Sequence, residues 1–142
     1  MIFLILSLFL QLGNPTVQDK VNTKLLIQIH HTKSDQGKIR ILIFSSEKGF
    51  PDQPEHALKS YSITPKNKAG ELLVEDLPEG KYAVSVIHDE DGNGKLNTNA
   101  VGYPSEKFGF SNNPKVYFSI PSFEKVAFQL TKEAKTILIN LH

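Results

Sequence analysis

Lys81-Tyr82-Ala83-Val84-Ser85-Val86-Ile87-His88 is the longest run in the chain that alternates β-branched and aromatic residues with smaller ones. Side chains two apart on a strand share a face, so Tyr82, Val84 and Val86 point into a core while Ala83, Ser85 and Ile87 lie on the reverse side. His88 falls in with the inward set. Immediately before the run, Leu77-Pro78-Glu79-Gly80 is a turn, because proline presets one backbone angle and glycine relieves the next position. Immediately after it comes Asp89-Glu90-Asp91-Gly92-Asn93-Gly94-Lys95-Leu96-Asn97, the densest gathering of oxygen-bearing side chains in the sequence.

Outward from that strand the same period recurs. Leu25, Ile27 and Ile29 alternate with polar neighbours over Lys24 to His31, and Ile39, Ile41 and Ile43 do so between Gly37 and Phe44. Ser34-Asp35-Gln36-Gly37 supplies a turn between them, so the two are expected to form a hairpin. Shorter strands are expected around Leu58 to Ile63 and Gly70 to Glu75. Others are expected at Val116 to Ser119, around Val126, Phe128 and Leu130, and over the last stretch holding Ile137, Ile139 and Leu141. Prolines 51 and 54 break regular structure between the second and third strands. No amphipathic helical period exceeds two turns. The pattern predicts an all-β, antiparallel sandwich of about seven to eight strands with one long loop over residues 89–114; a closed barrel has the same alternation.

Composition bounds the function. The 142 residues hold 16 Lys plus Arg against 15 Asp plus Glu, a net charge of +1, and the basic residues are scattered singly. Such a surface gives no field of one sign to attract nucleic acid. There is no cysteine, which removes disulfides, thiolate metal sites and cysteine nucleophiles. Met1 to Leu12 is apolar and then yields to Gly13-Asn14-Pro15. The run is shorter than the roughly 20 residues of a transmembrane helix and matches a secretory leader. The expected organisation is therefore a signal peptide over 1–17 and one domain over 18–142, exported to the periplasm or the cell exterior with no stable membrane span once the leader is removed.

The 89–97 segment carries the only informative ligand spacing. With Asp89 at position 1, Asp91 stands at 3, Asn93 at 5, Gly94 at the turn position 6, the Lys95 carbonyl at 7 and Asn97 at 9, the order of an EF-hand-type calcium loop. Position 12 is Ala100 rather than a glutamate, and a strand rather than a helix leads in, so another carboxylate must close the shell. Glu106 is one candidate and Glu90, by a local turn, the other. With that ligand supplied from elsewhere, the expected calcium affinity is about 10⁻⁴ to 10⁻³ M. The competing reading is a polar turn built on Asn93-Gly94. Adjacent His30 and His31 are expected to point to opposite faces of a strand and so not to share a site. No nucleophile spacing is present, and the leading expectation is a non-enzymatic module that binds or scaffolds an envelope protein or ligand. The alternative is a small-ligand carrier or hydrolase with His88, Asp89 and Glu106 converging on a pocket beside the loop. The last strand, with no internal proline to guard it, is also open to pairing with a partner sheet.

Asp76-Leu77-Pro78-Glu79-Gly80-Lys81-Tyr82-Ala83-Val84 resembles the turn and strand that recur in transthyretin-like and carboxypeptidase-regulatory-like sandwich domains. Taken with His88 to Asn97, Gly102-Tyr103-Pro104-Ser105-Glu106 and Phe108-Gly109-Phe110-Ser111-Asn112-Asn113, the chain is similar to a bacterial exported family, domain of unknown function 2141, over roughly Lys24 to Leu141. That resemblance implies an immunoglobulin-like sandwich in the cell envelope and brings no activity with it.

Overall fold

The computed structural model describes residues 23–117 and 119–142, so the expected leader lies outside the described residues. Among the described residues, eight strands form two sheets. The smaller sheet holds β1 (Leu25–His30) between β4 (Ala69–Val74) and β8 (Lys135–Asn140). The larger holds β3 (Lys59–Ile63), β2 (Lys38–Phe44) and β5 (Gly80–Asp89) in that order. On the far edge of β5 lie two short strands, β6 (Phe108–Phe110) and β7 (Phe128–Leu130). All pairings are antiparallel except β1 with β8, which run parallel with Ile27 opposite Ile137.

The alternation read from sequence builds the core directly. Leu25, Ile27 and Ile29 from one sheet meet Ile39, Ile41, Ile43, Tyr82, Val84 and Val86 from the other, all buried. The expected hairpin of the first two strands does not form. β1 already has β4 on one edge and β8 on the other, while β2 pairs with β3 and β5. Both inner faces of a sandwich carry the same period, so two consecutive strands with matching alternation can face each other across the core instead of pairing side by side.

The reverse face of β5 is buried as well. Phe44, Ala83, Phe110, Phe123 and Val126 form a second cluster there, with Phe50 stacked edge-on to Phe44 and Phe123. The chain that covers this face departs from expectation in three places. β6 lies inside the stretch read as loop, because Phe108-Gly109-Phe110 is too short to show a period. The described residues of the expected strand at 116–119 are irregular. Val126 belongs to a single helical turn, α1 (Phe123–Val126), capped by the Ser122 hydroxyl accepting from the Lys125 amide at 3.3 Å.

Ser111 closes the gap that this arrangement leaves between β6 and β7. Its hydroxyl accepts from the Val84 N–H at 3.0 Å and donates to the Val126 carbonyl at 2.6 Å, while its own amide donates to the Val84 carbonyl at 3.0 Å. One buried side chain thus satisfies backbone groups of two segments. Replacing Ser111 with alanine strands a buried N–H and a buried carbonyl and is expected to cost about 2 kcal/mol, read from the shift of a urea midpoint. An unchanged midpoint would show that water replaces the hydroxyl without loss.

The outer edge of β8 is partly blocked. The Asn113 side chain donates to the Leu138 carbonyl at 2.7 Å and accepts from the Asn140 N–H at 2.8 Å, occupying the two groups that a partner strand would use there. At the strand's end the His142 amide and carbonyl pair with Phe108, tying the two sheets together. The edge that looked unguarded in sequence is therefore capped along its second half by a side chain mimicking a strand.

Candidate functional site

β5 ends at Asp89, whose side chain is completely buried. The turn before β2 crosses this strand end so closely that a Cβ on Gly37, which has φ +70°, would sit 2.1 Å from the Asp89 carbonyl oxygen. From β2 comes Arg40, whose Nε donates to Asp89 Oδ2 at 2.6 Å. The same oxygen accepts from the Gly94 amide at 2.8 Å, where φ of +80° curls the loop back on itself. Asp89 Oδ1 is buried and has no hydrogen-bond partner. Burial pushes the Asp89 carboxyl up, but the hydrogen bond from Arg40 and then that from the Gly94 amide outweigh it and hold the group below the usual carboxylate range.

The rest of the loop is folded by its own carboxylates and amides. Asp91 Oδ1 accepts from the Asn93 amide at 3.1 Å, and Asn93 Oδ1 accepts from the Lys95 amide at 2.9 Å, two successive side-chain turns. Asn93 Nδ2 also donates to Asn97 Oδ1. Glu106, 6% exposed, returns from the far side of the excursion. Its Oε1 accepts from the Glu90 amide at 3.1 Å and its Oε2 from the Asn97 amide at 3.1 Å. Between Asp91 and Glu106 stands the Asn97 side-chain nitrogen, 2.6 Å from Asp91 Oδ2 and 3.3 Å from Glu106 Oε1.

Asp89, Asp91 and Glu106 therefore converge, each placing a carboxylate oxygen within 4.8 Å of the others. Among the described residues the only ion pair to any of the three is Arg40 with Asp89. Three carboxylates against one guanidinium leave a local charge of −2. Of the two sequence candidates for the closing carboxylate, Glu106 joins the cluster and Glu90 turns away. Glu90 accepts from the Ser34 hydroxyl at 3.3 Å and faces Lys33 Nζ at 3.5 Å. Asn93 and Asn97 border the cluster through the contacts above, and Lys95 is tied to it through its amide's bond to Asn93.

Across residues 27–138 the chain matches the family model described as an uncharacterized protein conserved in bacteria (DUF2141). The chain belongs to that family. No curated protein and no solved structure matches it. Family membership covers both the sandwich and the whole 89–106 excursion, and the family's description assigns neither of them a role.

His88 does not join the carboxylates. Its Nδ1 accepts from the Lys33 amide at 3.2 Å, which places the ring proton on Nε2, and Nε2 donates to the Gln36 carbonyl at 2.7 Å. Both nitrogens of this buried ring are committed to the backbone of the 33–36 turn, so the trio required by a hydrolase pocket does not assemble. His30 and His31 correct the sequence reading in the opposite sense. His31 lies beyond the end of β1 at φ +72°, which breaks the alternation and stacks the two rings 6.2 Å apart at 15°. They line one cavity together.

Arg40 is the site residue that sequence reasoning missed. It is the chain's single arginine. That rarity is the one signal it offers, because its placement depends on the register of β2 against β5, where Arg40 opposes Ile87 and Lys38 opposes Asp89.

Proposed function

We propose that the protein is an exported, non-enzymatic sandwich module whose 89–106 loop binds one calcium ion, held by Asp89, Asp91, Asn93, the Lys95 carbonyl, Asn97 and Glu106. The observation that carries this reading is the buried, unpartnered Asp89 Oδ1 in a cluster of three converging carboxylates. A buried carboxylate oxygen without a donor is costly, and a cation removes that cost. The uncompensated charge of −2 matches a divalent ion. An all-oxygen ligand set without histidine or cysteine selects a hard cation, and the many protein oxygens supplied by this one stretch of chain suit calcium better than magnesium, which keeps its waters. The Asn97 carboxamide, now donating into the gap between Asp91 and Glu106, would turn its oxygen inward when the ion is bound.

The ion organises the loop and, through it, the hairpin at its tip. The Thr98–Pro104 bridge and the Asn99 side chain, which accepts from the Val101 and Tyr103 amides, fold residues 98–104 into a finger. Its base is formed by two proposed ligands, Asn97 and Glu106, and its tip exposes Val101 and Tyr103. Export, supported by the apolar run at the start of the chain, places the site where free calcium reaches millimolar levels.

Calorimetric titration with calcium is expected to give one site with a dissociation constant of about 10⁻⁴ to 10⁻³ M. At tenfold excess over that constant the ion adds about 1.4 kcal/mol of stability. Asp91→Asn preserves the turn to the Asn93 amide but removes a charge, so it should abolish the heat while leaving calcium-free stability within about 0.5 kcal/mol. Absence of both heat and thermal stabilisation at millimolar calcium would sink the proposal.

A further inference from the structure

On the side of the fold where β1 ends, an open cavity of about 570 Å³ lies between residues 30–33 and 67–69, with Lys107 as its third wall. Its lining includes His30, His31, Lys33, Lys68 and Lys107 and no carboxylate. In a chain whose charges otherwise nearly balance, this is a local concentration of cationic and hydrogen-bond-donating side chains. Lys33 has a partner in Glu90, but among the described residues neither Lys68 nor Lys107 forms an ion pair.

The walls are fixed in advance. The His31 and Thr32 amides both donate to the Lys68 carbonyl, at 3.1 and 3.2 Å. The Asp35 carboxylate accepts from the Asn67 and Lys68 amides at 3.0 and 2.6 Å, holding a turn in which both residues are left-handed. That carboxylate accepts from the backbone amides of two lining residues and is not itself part of the lining. His88, clamped to Lys33 and Gln36, pins the remaining wall. His31 itself adopts φ +72°, a conformation costly for a side chain other than glycine, and this is what brings its ring beside that of His30.

We propose that this cavity binds a phosphate group. Ammonium groups are point charges that approach a tetrahedral anion from several directions, and imidazole N–H groups add directional donors. A planar carboxylate is better matched by an arginine fork, and the chain's single arginine is engaged elsewhere. The phosphate has two sources, a soluble phosphorylated molecule or a lipid headgroup, and the chemistry of the cavity is the same for both.

The test is titration of the full chain with pyrophosphate in metal-free buffer, so that the anion cannot act by stripping a cation from the 89–106 loop. Success or failure there is independent of the calcium reading. Saturable binding is expected, weakening as salt rises. Lys68→Asn, which suits a left-handed position, and Lys107→Gln should each weaken it about tenfold, whereas Lys132→Gln, remote from the cavity but equal in charge change, should not. In parallel, sedimentation with vesicles carrying a phosphomonoester lipid, against purely zwitterionic vesicles, separates the two sources. Binding confined to one arm identifies the source. No saturable binding in either arm, or equal weakening by Lys132→Gln, overturns the proposal.

Discussion

Replacing Arg40 with methionine, which keeps the aliphatic stem and removes the charge, lowers the stability of the calcium-free protein by about 3 kcal/mol. For a domain of this size that is a fall of roughly 10–15 °C in melting temperature. The magnitude follows from what remains: Asp89 is fully buried, its Oδ1 already lacks a donor, and Asp91 and Glu106 stand beside it. Removing the guanidinium, itself 34% exposed, leaves the fully buried Asp89 charge without compensation, a larger penalty than the gain from an exposed ion pair. Lys38→Met on the same strand, whose ammonium reaches the Thr64 hydroxyl at the surface, should stay within about 0.5 kcal/mol. Calcium distinguishes the proposed site from a purely structural cluster. If the ion enters among these carboxylates, it supplies the missing positive charge, and the deficit of Arg40→Met shrinks as calcium is added. Equal deficits with and without calcium would separate Arg40 from any ion site, and a calcium-free deficit under about 1 kcal/mol would contradict the account of Asp89.

The second large effect concerns the reverse face of the larger sheet. Phe44→Ala is expected to cost about 4 kcal/mol, as much as truncating a residue between the sheets. Phe44 is wholly buried among Ala83, Phe110, Phe123 and Val126, with Phe50 edge-on to its ring at 5.4 Å between centroids. Removing it opens a cavity lined by rings held by β6, α1 and the 47–57 connection, which relax only in part. Were that covering layer loosely packed, the substitution would cost little more than 1 kcal/mol, and equilibrium unfolding in urea separates the two outcomes. The same experiment on Ile41→Ala, buried between the sheets, provides the scale.

Particular residues show how far the sequence could be read. Ile39, Ile41 and Ile43 revealed both their strand and their buried face, because alternation is a local property of extended backbone. Asp89, Asp91 and Asn93 revealed their shared turn for a similar reason: side chains this close in sequence meet through the loop's own hydrogen bonds. Glu106 was legible only as one of two candidates, since a loop of this length can close in more than one way. Arg40, Ser111 and Asn113 were not legible at all. Each acts on a group distant in sequence, Arg40 on Asp89, Ser111 on Val84 and Asn113 on β8.

Local alternation and turn chemistry thus determined that this chain is all-β and carries an acidic, glycine-broken loop at the end of its most regular strand, while the two separate sheets of a sandwich, rather than a closed barrel, came from the tertiary structure. Only the tertiary structure decided which strands pair, that β5 is covered on both faces, that Glu106 rather than Glu90 meets Asp89 and Asp91, and that His30 and His31 share a cavity. Strand period is written in residues two apart, whereas pairing partners, charge compensation and convergence of ligands depend on register between distant segments. Register is chosen by the packing of the whole core.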